Sequence, residues 1–249
     1  SLIPFDITLY TEHTIINFAC IKMKKLLTLT TLLWLPSVLF TWNNNVDIFY
    51  WRHHLTILSG AIALVFMTTS MLLAMRFKAV ENIVHGLDKG YAIHKQMGIG
   101  ALVALIVHWG LVQLPKWLIS LGLMDGRQHR HGPNSDILTT INWTHLGKEV
   151  GNYTFYVFLI FAAISLIQAI RYHHFKWTHN IAGALFLAGV FHSLLMMDLK
   201  FTAISVDLFI VALCVVGAIC AVMSLTGRIG QSRKHKGTVT EVQPIEYPS

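Results

Sequence analysis

The sequence predicts an all-α protein: a six-helix bundle integral to a membrane. Two observations carry that expectation. Of 249 residues, 54% are hydrophobic and only 12% charged, against about 25% charged in a soluble domain. The mean hydropathy of +0.57 points the same way. The apolar residues also gather into six stretches, each near the roughly 20 residues a helix needs to cross a hydrocarbon core.

The first stretch, Leu26–Trp42, contains Pro36 and follows Met23-Lys24-Lys25. A basic start before an apolar run also resembles a signal peptide. The bulky Phe40-Thr41-Trp42 offers no small-residue cleavage site, so an uncleaved span is expected. The others are Leu55–Met75, Tyr91–Leu114, Gly151–Ile170, Thr178–Met197 and Ile204–Leu225. Residues 1–22 precede Met23, a natural start, and receive no role. Residues 23–230 form the membrane domain. Residues 231–249 change character, with Thr238–Val242 alternating as a strand does. They are expected to open a truncated cytosolic region.

Basic residues set the orientation. Lys24 and Lys25 precede the first span, and Arg76, Lys78, Lys89 and Lys95 follow the second. Arg171 and Lys176 follow the fourth, and Arg228, Arg233, Lys234 and Lys236 the sixth. With six spans these lie on one side, which the positive-inside rule makes cytoplasmic. Both termini are then cytoplasmic. The opposite loop, 115–150, also carries Lys116, Arg127, Arg130 and Lys148, so the bias is not clean. The net charge of +7 therefore reflects membrane topology and not nucleic-acid binding. Cys20, Cys214 and Cys220 make no CxxC or CxxCH pattern, which excludes a thioether-linked haem.

Ionisable side chains are costly inside a bilayer and point to function by default. Four histidines fall in just two spans: His94 and His108 in the third, His179 and His192 in the fifth. Spacings of 14 and 13 residues correspond to about 21 and 20 Å along a helix. The third and fifth spans run in the same direction. His94 therefore shares a depth with His179, near the cytoplasmic face, and His108 shares one with His192, near the outer face. One membrane histidine is ordinarily a hydrogen-bonded contact between helices. Four in matched pairs instead make two bis-imidazole sites, and imidazole is an axial ligand of haem iron. Ideal helix geometry brings His108 within about 40° of the face of His94 but leaves His192 about 140° from His179. Gly183 and Gly189 offer room for local adjustment.

The pattern Tyr91-Ala-Ile-His94 to His108-Trp109, then Trp177-Thr-His179 to His192, resembles the ferric reductase-like transmembrane domain family. That family includes NADPH oxidases, eukaryotic and bacterial ferric reductases, and the haem subunit of the bacterial methionine sulfoxide reductase system. The resemblance covers residues 53–230 and is specific at the four histidines. It implies a bacterial inner-membrane oxidoreductase holding two haem b groups on His94, His108, His179 and His192. It further implies electrons from NADH or NADPH through FAD, on a cytosolic dehydrogenase domain or subunit, to an acceptor outside the cytoplasm. Arg233–Gly237 and the alternating residues after it resemble the junction into such a flavin domain. No Gly-rich nucleotide loop occurs in this chain. Bis-histidine ligation leaves no open iron position, so the acceptor is reduced at the haem edge.

Lys95, Arg76 and Lys176 lie near the inner level and Arg52, His53, His54 and Lys116 near the outer one, as partners for propionates or as ordinary interfacial residues. Oxygen-reducing relatives carry a second histidine four residues after the outer ligand. Val112 stands there, which favours ferric iron or another metal as acceptor over oxygen. His129, His131 and His145 in the outer loop are candidate metal ligands or solvated loop residues. Two alternatives stay open. One is a stand-alone haem subunit fed by quinol or a separate flavoprotein for a periplasmic reductase. The other is a histidine-using transporter without haem.

Overall fold

The computed structural model describes residues 5–42, 47–123, 142–166, 172–197 and 204–228, with the side chains of 5–13, 166, 172–180 and 204 outside that description. Helices dominate: α1 (Phe5–Thr41), α2 (Ile48–Ala74), α3 (Lys78–Val84), α4 (Leu87–Ser120), α5 (Trp143–Leu166), α6 (Tyr172–Met196) and α7 (Ile204–Leu225). Four of them hold segments long and apolar enough to cross a membrane: Thr14–Thr41, Ile48–Ala74, Leu87–Ser120 and Ser205–Leu225. Ile181–Met196 on α6 is a shorter apolar stretch. The chain is a helical membrane protein.

Helix ends follow local chemistry. The Asp47 carboxylate accepts the Tyr50 N–H at 2.8 Å and starts α2. Asn142 does the same for α5, its side-chain oxygen accepting the His145 N–H at 2.9 Å. Such caps satisfy donors that a helix start leaves orphaned. Between α3 and α4 the chain turns through His85 (φ 62°) and Gly86 (φ 119°). Only glycine adopts the latter without a steric cost.

Several helices run longer than their apolar stretches. α1 begins at Phe5 and absorbs most of the segment expected to have no role, since no proline or glycine interrupts residues 5–25. α4 continues past Leu114 to Ser120, so Pro115 and Lys116 belong to the helix and not to the loop. Proline lacks an N–H and cannot serve the carbonyl four residues back. Here that carbonyl is Leu111, and the Arg52 guanidinium reaches it from α2 at 3.4 Å through Nη1. The short α3 was not anticipated. Residues 231–249, with the alternating Thr238–Val242, lie outside the described residues, as do His129 and His131.

Close contacts run α4 to α2, α2 to α7, α7 to α6, α6 to α5 and α5 to α4. The five helices therefore close into a ring, with α1 laid outside against α2, α4 and α7. One apolar cluster joins α2, α6 and α7 through Leu64, Met71, Phe186, Val190, Cys214 and Ala221. A second joins α1, α2 and α4 through Ala19, Val65, Phe66, Met97 and Ala101. Small residues let these helices approach closely, as membrane helices require. A Cβ on Gly100 would come within 2.8 Å of the Phe66 ring, and one on Gly217 would overlap the Phe186 ring. A Cβ on Gly183 of α6 would likewise lie 3.2 Å from the Ala221 carbonyl of α7, whereas Gly189 faces open space. Outward positions such as Leu39, Phe40, Ile160 and Leu208 are exposed and apolar, as lipid contact demands.

α1 and α2 are further tied at one end. The Trp34 indole N–H donates to the His54 carbonyl at 3.0 Å, and Tyr50 Oη to the Val38 carbonyl at 2.8 Å. His54 Nε2 lies 2.9 Å from Thr41 Oγ1, and its ring packs 4.5 Å from that of Tyr50. His54 is buried, at 4% exposure, and ties this hairpin together.

Candidate functional site

α4 and α6 are both neighbours of α5 in the helix ring, and neither packs closely on the other among the described residues. His94 and His108 lie on α4, and His179 and His192 on α6. His108 and His192 face each other, ring centroids 6.3 Å apart and planes 81° apart. The side chains of two histidines, and not backbone packing, thus bridge the two helices at this level. The side chain of His179 is outside the described residues, so the His94–His179 pairing stands as an expectation.

Every described member of the quartet has its Nδ1 on a helix carbonyl. His108 Nδ1 lies 3.0 Å from the Thr56 carbonyl and 3.3 Å from Ser59 Oγ, both on α2. His192 Nδ1 lies 2.8 Å from the Gly147 carbonyl on α5. His94 Nδ1 lies 3.1 Å from the Ser70 carbonyl on α2. A carbonyl only accepts, so each Nδ1 carries the proton and each Nε2 carries the lone pair. Ligating histidines show this arrangement: the non-ligating nitrogen donates to a carbonyl, which fixes the ring and raises its basicity.

The fourteen residues between His94 and His108 on α4 match the fourteen between Ser70 and Thr56 on the antiparallel α2. One helix therefore supplies acceptors at both levels, with its own rise setting their separation. Space for the rings comes from glycine. A Cβ on Gly60 would lie 3.1 Å from His108 Cε1, and one on Gly151 would overlap the His192 ring.

Around the His108 level, Trp109 stacks on Phe155 at 5.1 Å and 11°, and its indole N–H donates to Asn152 Oδ1 at 3.3 Å. This joins α4 to α5. Arg52 sits one helical turn before Thr56, and its Nε is buried without a partner. A buried guanidinium nitrogen left over after the Leu111 contact is available to an anionic group at this level.

The other sequence candidates have these positions. Lys95, Arg76, Lys116 and His53 are exposed, and Lys176 is outside the described side chains. Val112, at 43% exposure, is on the outside of α4. His145 belongs to the first turn of α5 and not to a loop. Among the described residues no group of three or more His, Cys, Asp or Glu gathers into a metal cluster. Sequence reading passed over Thr56, Ser59, Gly60, Ser70, Gly147 and Gly151. Thr56, Ser70 and Gly147 act through backbone carbonyls, which leave no residue signature, and only the glycines inside or beside apolar stretches offered a signal.

Fold and site together define a helical membrane protein in which His108 and His192 meet between two helices. The family model described as "Ferric reductase like transmembrane component" matches residues 59–190. The chain belongs to that family. Membership points to transmembrane electron transfer and to oxidoreductase chemistry in general, and the family typically binds haem. No curated protein and no solved structure matches the chain.

Proposed function

We propose that this chain carries electrons across a membrane through two b-type haems, one held by His94 and His179 and the other by His108 and His192. The supporting observation is the His108–His192 pair. A metal–imidazole nitrogen bond of about 2.0 Å, with about 1.15 Å from nitrogen to ring centre, puts two rings on opposite sides of one ion about 6.3 Å apart between centroids. The observed separation is 6.3 Å. Both Nδ1 protons are held on the flanking helices, so both lone pairs are on Nε2 and available to a metal. The residues present therefore fit the group. When bound, each haem supplies a one-electron ferric–ferrous couple.

The chain's own residues do the rest. Carbonyls of Thr56, Gly147 and Ser70 orient the ligand rings and make them more basic, which lowers the potential of any iron they bind. The apolar ring of helices excludes water. Arg52, with its unpartnered Nε, is the residue best placed to hold a propionate at the His108 level. Two histidines would be committed to each haem, which would supply one electron at a time to an acceptor that binds none of these four side chains. Six spans, with both termini cytoplasmic in a bacterial inner membrane, agree with the basic loops. A cytosolic flavin domain or subunit, oxidising NADH or NADPH, is the matching donor, and ferric iron or another metal the matching acceptor.

The test is haem content. The purified full chain should bind about two haems, with a b-type band in the dithionite-reduced-minus-oxidised spectrum. H108L or H192L should each retain one. A folded, colourless chain refutes the proposal in favour of a histidine-using transporter, and two haems retained in both variants refute the ligand assignment.

A further inference from the structure

The acceptors at the His108–His192 level share a local pattern. In an α-helix, the carbonyl of residue i bonds the N–H of residue i+4, and the side chain of i+4 lies beside it. This chain shows how close: Thr28, Thr30 and Thr69 each bond their own i−4 carbonyl, on Lys24, Leu26 and Val65, at 2.8–2.9 Å. An outside donor therefore reaches a helix carbonyl most easily where residue i+4 has no side chain. The carbonyl that accepts from His108 is Thr56, and four residues on stands Gly60. The carbonyl that accepts from His192 is Gly147, and four residues on stands Gly151. These are the glycines whose added Cβ would meet those two rings. For His94 the acceptor is Ser70, and four residues on stands Ala74, the next smallest side chain.

We infer that Gly60 and Gly151 are positioning residues of the His108–His192 site: they uncover the Thr56 and Gly147 carbonyls and so fix both facing rings as Nδ1–H tautomers. The two belong to different helices, α2 and α5, so one helix's packing needs do not account for both. The redox readout rests on the haem reading above, whereas the tautomer readout does not.

The experiment compares G60A and G151A with G110A, whose Cβ meets nothing within 4 Å although it sits two residues from His108. In G151A, where Cβ and ring overlap, haem per chain should fall from about two to one. In G60A, where the contacts are 3.1 and 3.2 Å, both haems should remain. The midpoint potential of one should rise, because a histidine that donates less is a less basic ligand. G110A should match the wild type. Nitrogen-15 histidine spectra of the haem-free chain should show one ring leaving the Nδ1–H form in each site variant. Wild-type haem content and potentials in both site variants overturn the inference, as does an equal change in G110A. A wild-type chain without haem sinks the proposed function, and the nitrogen-15 spectra then decide this inference alone.

Discussion

Replacing Gly217 with alanine tests the packing that positions α6. The ring of Phe186, 1% exposed, lies against the α7 backbone at Gly217, and an added Cβ would overlap it while lying 3.1 Å from Thr68 Oγ1. Phe186 has little room to yield, because Leu64, Met71, Val190 and Cys214 enclose it. Either the ring leaves its rotamer or α7 backs away, and overpacking of this kind costs about 1–3 kcal/mol. Alanine also gains about 1 kcal/mol over glycine in a helix interior. G98A supplies the control, since its Cβ meets nothing within 4 Å and its helix gain is the same. The difference between the two variants isolates the overlap, so G217A should be less stable than G98A by about 1–3 kcal/mol. Equilibrium unfolding in an SDS titration measures it, and F186L should restore much of the loss in G217A. Equal stability of the two alanine variants would refute the α6–α7 register. Phe186 lies six residues from His192 on one helix, so it would also undo the placement of the ligand.

T41V removes the hydroxyl on His54 Nε2 and should cost about 0.6–1.7 kcal/mol, the range for hydrogen bonds between membrane helices. T28V, which loses only a bond within α1, should cost less in the same titration. P115A restores an N–H that competes for the Leu111 carbonyl. R52Q should therefore be less destabilising in the P115A background than in the wild type, and strict additivity in that double-mutant cycle counts against the contact. W109F keeps the stack on Phe155 but loses the bond to Asn152. It should lower stability by no more than about 1 kcal/mol, with N152A adding little beyond it; a full second loss shows the two side chains acting independently.

The apolar helices were legible because a bilayer imposes harsh rules. Apolar stretches near 20 residues and ionisable groups within them leave few readings. The middles of α2, α4 and α7 follow directly. The ends do not. Nothing in an apolar count shows that α4 carries Pro115 inside it, because a guanidinium from another helix answers the carbonyl that proline abandons. α3 is seven residues long, too short for a periodic signal. Of the site, the residues with chemistry in their side chains were readable and the ring-orienting groups were not. Thr56, Ser70 and Gly147 act through main-chain oxygen, which every residue possesses. His54 shows the reverse case: an imidazole in a span that ties two helices together through Thr41 and Tyr50.

The sparse contact between α4 and α6 has a thermodynamic consequence. The two helices meet through the His108 and His192 side chains and otherwise rest on their neighbours α2, α5 and α7. Whatever binds between those side chains in the folded chain and has no hold on the unfolded one deepens the native well by mass action, by about 2.7 kcal/mol at a hundredfold excess over its dissociation constant. Resistance to denaturation is then a concentration-dependent property, so chain made faster than its occupant is supplied should be the fraction that proteases remove first.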